Sequence, residues 1–150
     1  MEGFMPRHIL VLLKDEKFSV GENATYTSSC TEAWDLFGKE NFDCVVLDYS
    51  LPDCESLDLV AKIRNLDPKV PIVIAGNGNE SIAVKMFKAG VNDYIPKEEL
   101  TEDRVSSSIC SVVQQRRDWE EVQQAKEKEI EFLDTIHCQI KQRISNYDNN

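Results

Sequence analysis

Cys44-Val45-Val46-Leu47-Asp48-Tyr49-Ser50-Leu51-Pro52-Asp53 decides the fold of this 150-residue chain. Four consecutive apolar residues, Cys44 to Leu47, read as a strand buried on both faces, which is the mark of a parallel sheet covered by helices. Leu51-Pro52-Asp53 ends it at once, because proline has no N–H for a ladder and presets a turn. The break leaves Asp48 at the carboxyl edge of the sheet, where open α/β sheets bind ligands. Aspartate also starts turns by hydrogen-bonding its own backbone, so this segment alone leaves a chemical role and a turn-forming role both open.

Working outward, three more short apolar runs are bounded by turn residues: Ile9 to Leu13, Ile72 to Ala75 after Pro71, and Tyr94-Ile95 before Pro96. Ala24 to Ser28, with Thr25, Tyr26 and Thr27, is a less apolar run suited to a sheet edge. Helical periods lie between them. Thr31 caps a helix carrying Ala33, Trp34 and Phe37; Ser56 to Leu66 spaces Leu57, Val60, Ile63 and Leu66 by three and four. Glu80 to Ala89 carries Ile82, Val84, Met86 and Phe87 before Gly90 stops it. Strands alternating with helices predict an α/β fold with a doubly wound, five-stranded parallel sheet. Between Leu13 and Ala24 only ten residues remain, 14 to 23, with Gly21 and Asn23 among them. A helix of about eleven residues plus two turns does not fit there. The first helix is therefore expected to be shortened or missing, and a partner subunit or the C-terminal helix is expected to cover the sheet face it leaves.

From Thr101 to about Ser145 there is no Gly and no Pro, and Gln114 to Lys128 is dominated by Gln, Glu, Lys and Arg. One long helix is predicted. An alternating three-four series runs Ile109, Val112, Arg116, Trp119, Gln123, Lys126, Ile130, Leu133, His137, Ile140, Ile144. Seven of those eleven positions are apolar, enough for a coiled-coil seam with polar interruptions. The alternative is a solvated helix folded back on its own domain. The expected organisation is a globular domain over 7–113, a helical linker or coiled coil over 114–146 and a disordered tail over 147–150.

A formal net charge of −10 argues against direct nucleic-acid binding, which needs a basic face to displace counterions. No stretch reaches the roughly 18 consecutive apolar residues of a membrane span, and Met1 to Pro6 lacks the basic region and apolar core of a targeting signal. Five cysteines, Cys30, Cys44, Cys54, Cys110 and Cys138, form no Cys-x-x-Cys pair. They read as reduced thiols of a cytoplasmic protein.

His8 to Lys97 resembles the receiver domain of two-component response regulators, a flavodoxin-like fold. Asp48-x-x-Leu51-Pro52 resembles its phosphoacceptor segment, Pro71-Ile72-Val73-Ile74-Ala75-Gly76-Asn77-Gly78 its fourth strand and loop, and Lys88-Ala89-Gly90-Val91-Asn92-Asp93-Tyr94-Ile95-Pro96-Lys97 its fifth strand and flanks. The resemblance implies a regulatory phosphoprotein rather than a metabolic enzyme. It implies that Asp48 accepts a phosphoryl group from a histidine kinase or another phosphorelay protein, that Mg²⁺ neutralises the phosphoryl oxygens and that Lys97 pairs with them. A Ser or Thr hydroxyl and an aromatic, here Tyr94, follow the new charge. The need is physical, since a dianionic group beside carboxylates is costly without cations.

Besides the short span left for a first helix, the sequence departs from the family in two places at the site. The acidic pair that holds the metal is replaced by Leu13 and Lys14, leaving Asp48 with Asp15 or Glu16 from a slipped loop, so weakened Mg²⁺ binding is expected. The switch hydroxyl is replaced by Ala75, or by Gly76 if the strand is one residue longer. The expected function is phosphoacceptance on Asp48, with the state passed through the C-terminal helix to an output or kinase module. The alternative is a phosphorylation-independent scaffold for protein binding and dimerisation. A flavodoxin-like or phosphohydrolase enzyme is disfavoured. Leu13-Lys14-Asp15-Glu16 is no Gly-rich phosphate loop, and Ser50 stands where a partner acid would be.

Leu133-Asp134-Thr135-Ile136-His137-Cys138-Gln139-Ile140-Lys141-Gln142-Arg143-Ile144 is similar to the phosphoacceptor box of sensor histidine kinases, matching at Ile136, His137, Ile140 and Lys141. That resemblance implies a second phosphoacceptor at His137 and a chain belonging to a longer sensor kinase. The competing reading makes His137 a polar position in the seam of a homodimeric coiled coil.

Overall fold

The computed structural model describes residues 8–13, 23–51, 53–77 and 79–148. The chain divides into two compact units, Met1–Arg116 and Arg117–Asn150. In the first, strands β1 (Ile9–Leu12), β2 (Ala24–Tyr26), β3 (Cys44–Asp48), β4 (Ile72–Gly76) and β5 (Asp93–Pro96) form one sheet in the order β2-β1-β3-β4-β5. Every neighbouring pair is parallel. The winding reverses between β1 and β3, which makes the carboxyl ends of those strands the switch point of the sheet. Asp48 lies opposite Ala75, Ala75 opposite Ile95, and Gly76 opposite Pro96. The ends of β3, β4 and β5 are thereby level.

Side chains alternate between the two faces with the two-residue period of a strand. Leu10, Leu12, Val45, Leu47, Ile72 and Ile74 pack with Ala33 and Phe37 of α1 (Cys30–Lys39), Val60 and Ile63 of α2 (Ser56–Leu66) and Met86 of α3 (Glu80–Ala89). Ile9, Val11, Cys44, Val46, Val73, Ala75 and Ile95 form the other face. Val105, Ile109, Val112 and Val113, in the first turns of α4 (Glu102–Asp148), cover that face. The C-terminal helix, one of the two expected occupants, packs on this face. Residues 14–22, where a short first helix would fall, lie outside the described residues, which contain no helix between β1 and β2.

Asp93 fastens α4 to the sheet. The Ser108 hydroxyl donates to its carboxylate, and an Arg104 guanidinium nitrogen lies 3.6 Å from the same oxygen. Arg64 closes the opposite end of the domain, donating to the carbonyls of Val70 and Gly90 and to Asn92 Oδ1. Burial lowers the Arg64 pKa from its ordinary value. Gly90 ends α3 at φ 106°, in the left-handed region that favours glycine.

Several expectations need correction. Ser29, not Thr31, caps α1: its hydroxyl accepts from the Glu32 amide, and Thr31 lies inside the first turn. Cys30 and Cys54 are joined in a disulfide, so the reading of five reduced thiols fails for this pair. The two are 24 residues apart, and only the tertiary fold brings them together. Cys44, Cys110 and Cys138 are free thiols, the first buried and the others exposed. Ile109 and Val112, the first members of the proposed seam, pack on the sheet instead of facing a partner helix. The helix also continues through Asp148, past the expected start of a tail at 147. Among the described residues no helix is long and apolar enough to cross a membrane.

Candidate functional site

The apolar run of β3 carries Asp48 into the sheet, where it is 2% exposed. A carboxylate taken out of water that far is costly unless it is paired and hydrogen-bonded. Both conditions are met. Lys97 Nζ lies 3.0 Å from Asp48 Oδ1, and the Ser50 amide donates to the same oxygen at 3.0 Å. The Tyr49 amide donates to the Ala75 carbonyl at 2.8 Å, extending the ladder one residue beyond Asp48 before the chain turns away. Lys97 begins a single 3-10 turn, Lys97–Glu99, directly after Pro96. Its side chain is 28% exposed, so the ammonium reaches a buried oxygen from the rim of the sheet.

Tyr94 is buried on the α1–α3 face, whereas Ala75 packs on the α4 face. Of the two positions considered for the missing hydroxyl, Gly76 is therefore the one beside Tyr94. A Cβ added at Gly76 would fall 2.3 Å from the phenol oxygen and 2.7 Å from Cζ. The ring fills the space that a residue with any side chain would occupy.

Leu13 is buried among the aliphatic residues of the α4 face and offers no ligand to a cation. Lys14, Asp15 and Glu16 lie outside the described residues. Of the expected metal ligands, Asp48 is the one among the described residues, and Lys97 holds it. Mg²⁺ is commonly bound through one or two carboxylates with waters and phosphate oxygens, and Asp48 is the carboxylate that would hold it here. His137 is an exposed residue of α4 in the second unit.

Sequence reading missed three features of the site. The first is the Ser50 amide on Asp48. The second is the approach of Tyr94 to Gly76, signalled only by a glycine ending an otherwise apolar strand. The third is Asp53, whose two carboxylate oxygens accept the Cys30 amide at 3.1 and 3.0 Å beside the Cys30–Cys54 bridge. The loop from Tyr49 to Ser56 also walls an open pocket shared by Tyr49, Ser50, Leu51, Cys54 and Glu55.

An open parallel sheet with a buried carboxylate and an ammonium at its switch-point edge defines a doubly wound α/β domain with a candidate site at that edge. The response regulator receiver domain family matches residues 5–109, and the chain belongs to that family. It is 30% identical over 96 residues to the transcriptional regulatory protein SrrA of Staphylococcus aureus, a match covering 64% of this chain and 38% of that protein. The chain thus matches well under half the length of these curated relatives.

Solved structures agree on the fold. The receiver domain of Leptospira biflexa HemR, non-phosphorylated, superposes with a TM-score of 0.62 at 24% identity, covering 71% of this chain and 93% of that one. Brucella abortus NtrX gives 0.71 at 21% identity, over 79% of this chain and 30% of that one. A CheY-like receiver domain protein from Methanospirillum hungatei gives 0.63 at 17%, over 75% and 97%.

Proposed function

We propose that Asp48 accepts a phosphoryl group from a histidine kinase or another phosphorelay protein, slowly and with weakened Mg²⁺ dependence. In this reading α4 passes the resulting state to an output module. The observation that carries it is the Asp48–Lys97 pair: a buried carboxylate at the sheet edge, 3.0 Å from an ammonium whose side chain is partly exposed. After transfer, that ammonium can follow the charge onto a phosphoryl oxygen, as a point charge on a flexible chain does. With Leu13 in place of an acid, Lys97 is the principal cation the described residues offer there.

The α4 attachment supports the output half of the reading. Asp93 opens β5, three residues from Pro96 and the Lys97 turn, and holds Ser108 and Arg104 of α4. A displacement of the β5 end would reach the helix through those contacts. Beyond Arg116, Trp119, Ile130, Leu133, Ile140 and Ile144 are exposed at the spacing of a seam, which favours a homodimer through α4. His137 shares that series, so it is read as a seam position rather than a second phosphoacceptor. The protein acts in the cytoplasm in this reading and contacts no nucleic acid through this chain.

The test is incubation with a small phosphodonor, with and without Mg²⁺, followed by intact mass and peptide mapping. The expected result is a slow gain of one phosphoryl group on Asp48 with little response to Mg²⁺. No gain under conditions that modify ordinary receiver domains would remove the phosphorylation claim.

A further inference from the structure

Six residues beyond Asp48, Cys54 is bridged to Cys30, with Cα atoms 6.2 Å apart. The bond joins the first residue of α1 to the loop between β3 and α2. A domain of this size, with both sheet faces covered, does not need a staple to hold its core. The position of the bridge is therefore more informative than its contribution to stability. It pins the loop that brings the Ser50 amide onto Asp48 and forms the walls of the open pocket.

We propose that Cys30 and Cys54 are a redox-modification site that sets the mobility of this loop. In a reducing compartment a disulfide of this kind is usually transient and regulatory. Cys30 is buried and Cys54 half-buried, so Cys54 offers the more accessible sulfur. A thiolate of a small thiol or a protein dithiol attacks Cys54 Sγ; the Cys30–Cys54 bond breaks, and Cys30 leaves as a thiolate that takes a proton. A second thiol of the reductant then attacks the mixed disulfide and releases Cys54. The protein gains two electrons and two protons, and the reductant departs as its own disulfide. A disulfide oxidant of the glutathione class reverses the sequence. In the reduced state the Asp53 carboxylate on the Cys30 amide still links loop to helix, but Asp53 is exposed. Reduction loosens the loop locally and leaves the sheet intact. The proposal does not depend on phosphorylation of Asp48.

The full chain is equilibrated in glutathione buffers of rising oxidised fraction, then denatured, alkylated and mapped by mass spectrometry. The expected result is the loss of two alkylatable thiols and the appearance of one Cys30–Cys54 cross-linked peptide, with Cys44, Cys110 and Cys138 still alkylated. C54S and C30S each retain all four of their thiols. Amide exchange over residues 49–57 is expected to be about tenfold faster in the reduced protein, with the central strands unchanged. Absence of the cross-link at every ratio overturns the proposal, and so does a cross-link that leaves exchange over 49–57 unaltered. The Cys30, Cys54 and Asp53 ligand atoms lie within 4.8 Å of one another, so Zn²⁺ is a competing occupant. Stoichiometric Zn²⁺ retained by the reduced chain through desalting, with the cross-link blocked, would replace the redox site with a metal site.

Discussion

Tyr94 lies where a side chain at position 76 would have to go: a Cβ on Gly76 would come within 2.3 Å of its phenol oxygen. The glycine and the buried tyrosine are therefore one packing unit. Gly76→Ala forces the ring outward or shifts the end of β4, and Gly76→Thr does so more strongly. The expected cost is about 1–3 kcal/mol in urea unfolding, the usual range for overpacking a close-packed core. Chemical nitration of Tyr94 rises in parallel. In a Tyr94→Ala background the same glycine substitutions lose most of their cost, because the two residues are in contact and their effects do not add. Additive effects would show that the ring and the glycine do not compete for space.

The Asp48–Lys97 pair is asymmetric, with side-chain exposures of 3% and 28%. Lys97→Ala takes the Lys97 ammonium away from a buried carboxylate that keeps the Ser50 amide. It is expected to cost about 1–3 kcal/mol. Asp48→Ala removes the buried charge and lets the lysine relax into water, so its effect stays within about 1 kcal/mol or is stabilising. Equal losses from the two substitutions, measured by urea unfolding at neutral pH, would contradict this account of the pair.

Burial in β3 pushes the Cys44 thiol pKa well above its ordinary value, so the group stays protonated at pH 8 and supplies no thiolate. Cys110 and Cys138 are exposed. Alkylation of the native, unreduced protein at pH 8 is expected to label those two and spare Cys44, which reacts only after denaturation. Labelling of Cys44 at the rate of the exposed pair would mean that the sheet opens far more readily than its packing implies.

The sheet was legible because each strand is an apolar run closed by turn residues. Strand ends were less so, because ladder partners set them: Asp48 and Gly76 join their strands by pairing with Ala75 and Pro96. The same gap explains the hydroxyl position. Ala75 and Gly76 point to opposite faces, and parity cannot be chosen until the register against β5 is known. Thr31 and Ser29 were equally good caps by residue type. The choice fell to Ser29 because helix α1 starts at Cys30, where Asp53 and the Cys54 bridge hold it. Cysteines 24 residues apart carry no local signal for each other. Asp48 and Lys97 were legible only through the order of motifs around them, since neither an aspartate before Leu-Pro nor a lysine after proline is distinctive alone.

The second unit yields a prediction about assembly. Ile109 and Val112 are committed to the sheet, so any helix pairing must be carried by the segment after Arg116. There Trp119, Ile130, Leu133, Ile140 and Ile144 are each about half exposed, and an isolated helix gains little from such residues unless a second helix buries them. Gln123, Lys126 and His137 interrupt the series and would fix register at some cost in stability. The expected state at high micromolar concentration is a dimer by sedimentation equilibrium. Ile130→Glu combined with Ile140→Glu places like charges across the seam and is expected to give a monomer. Unit 1 should keep its unfolding transition, because neither residue belongs to either sheet-face core. A wild-type chain that stays monomeric at that concentration would leave these five side chains in water and defeat the pairing.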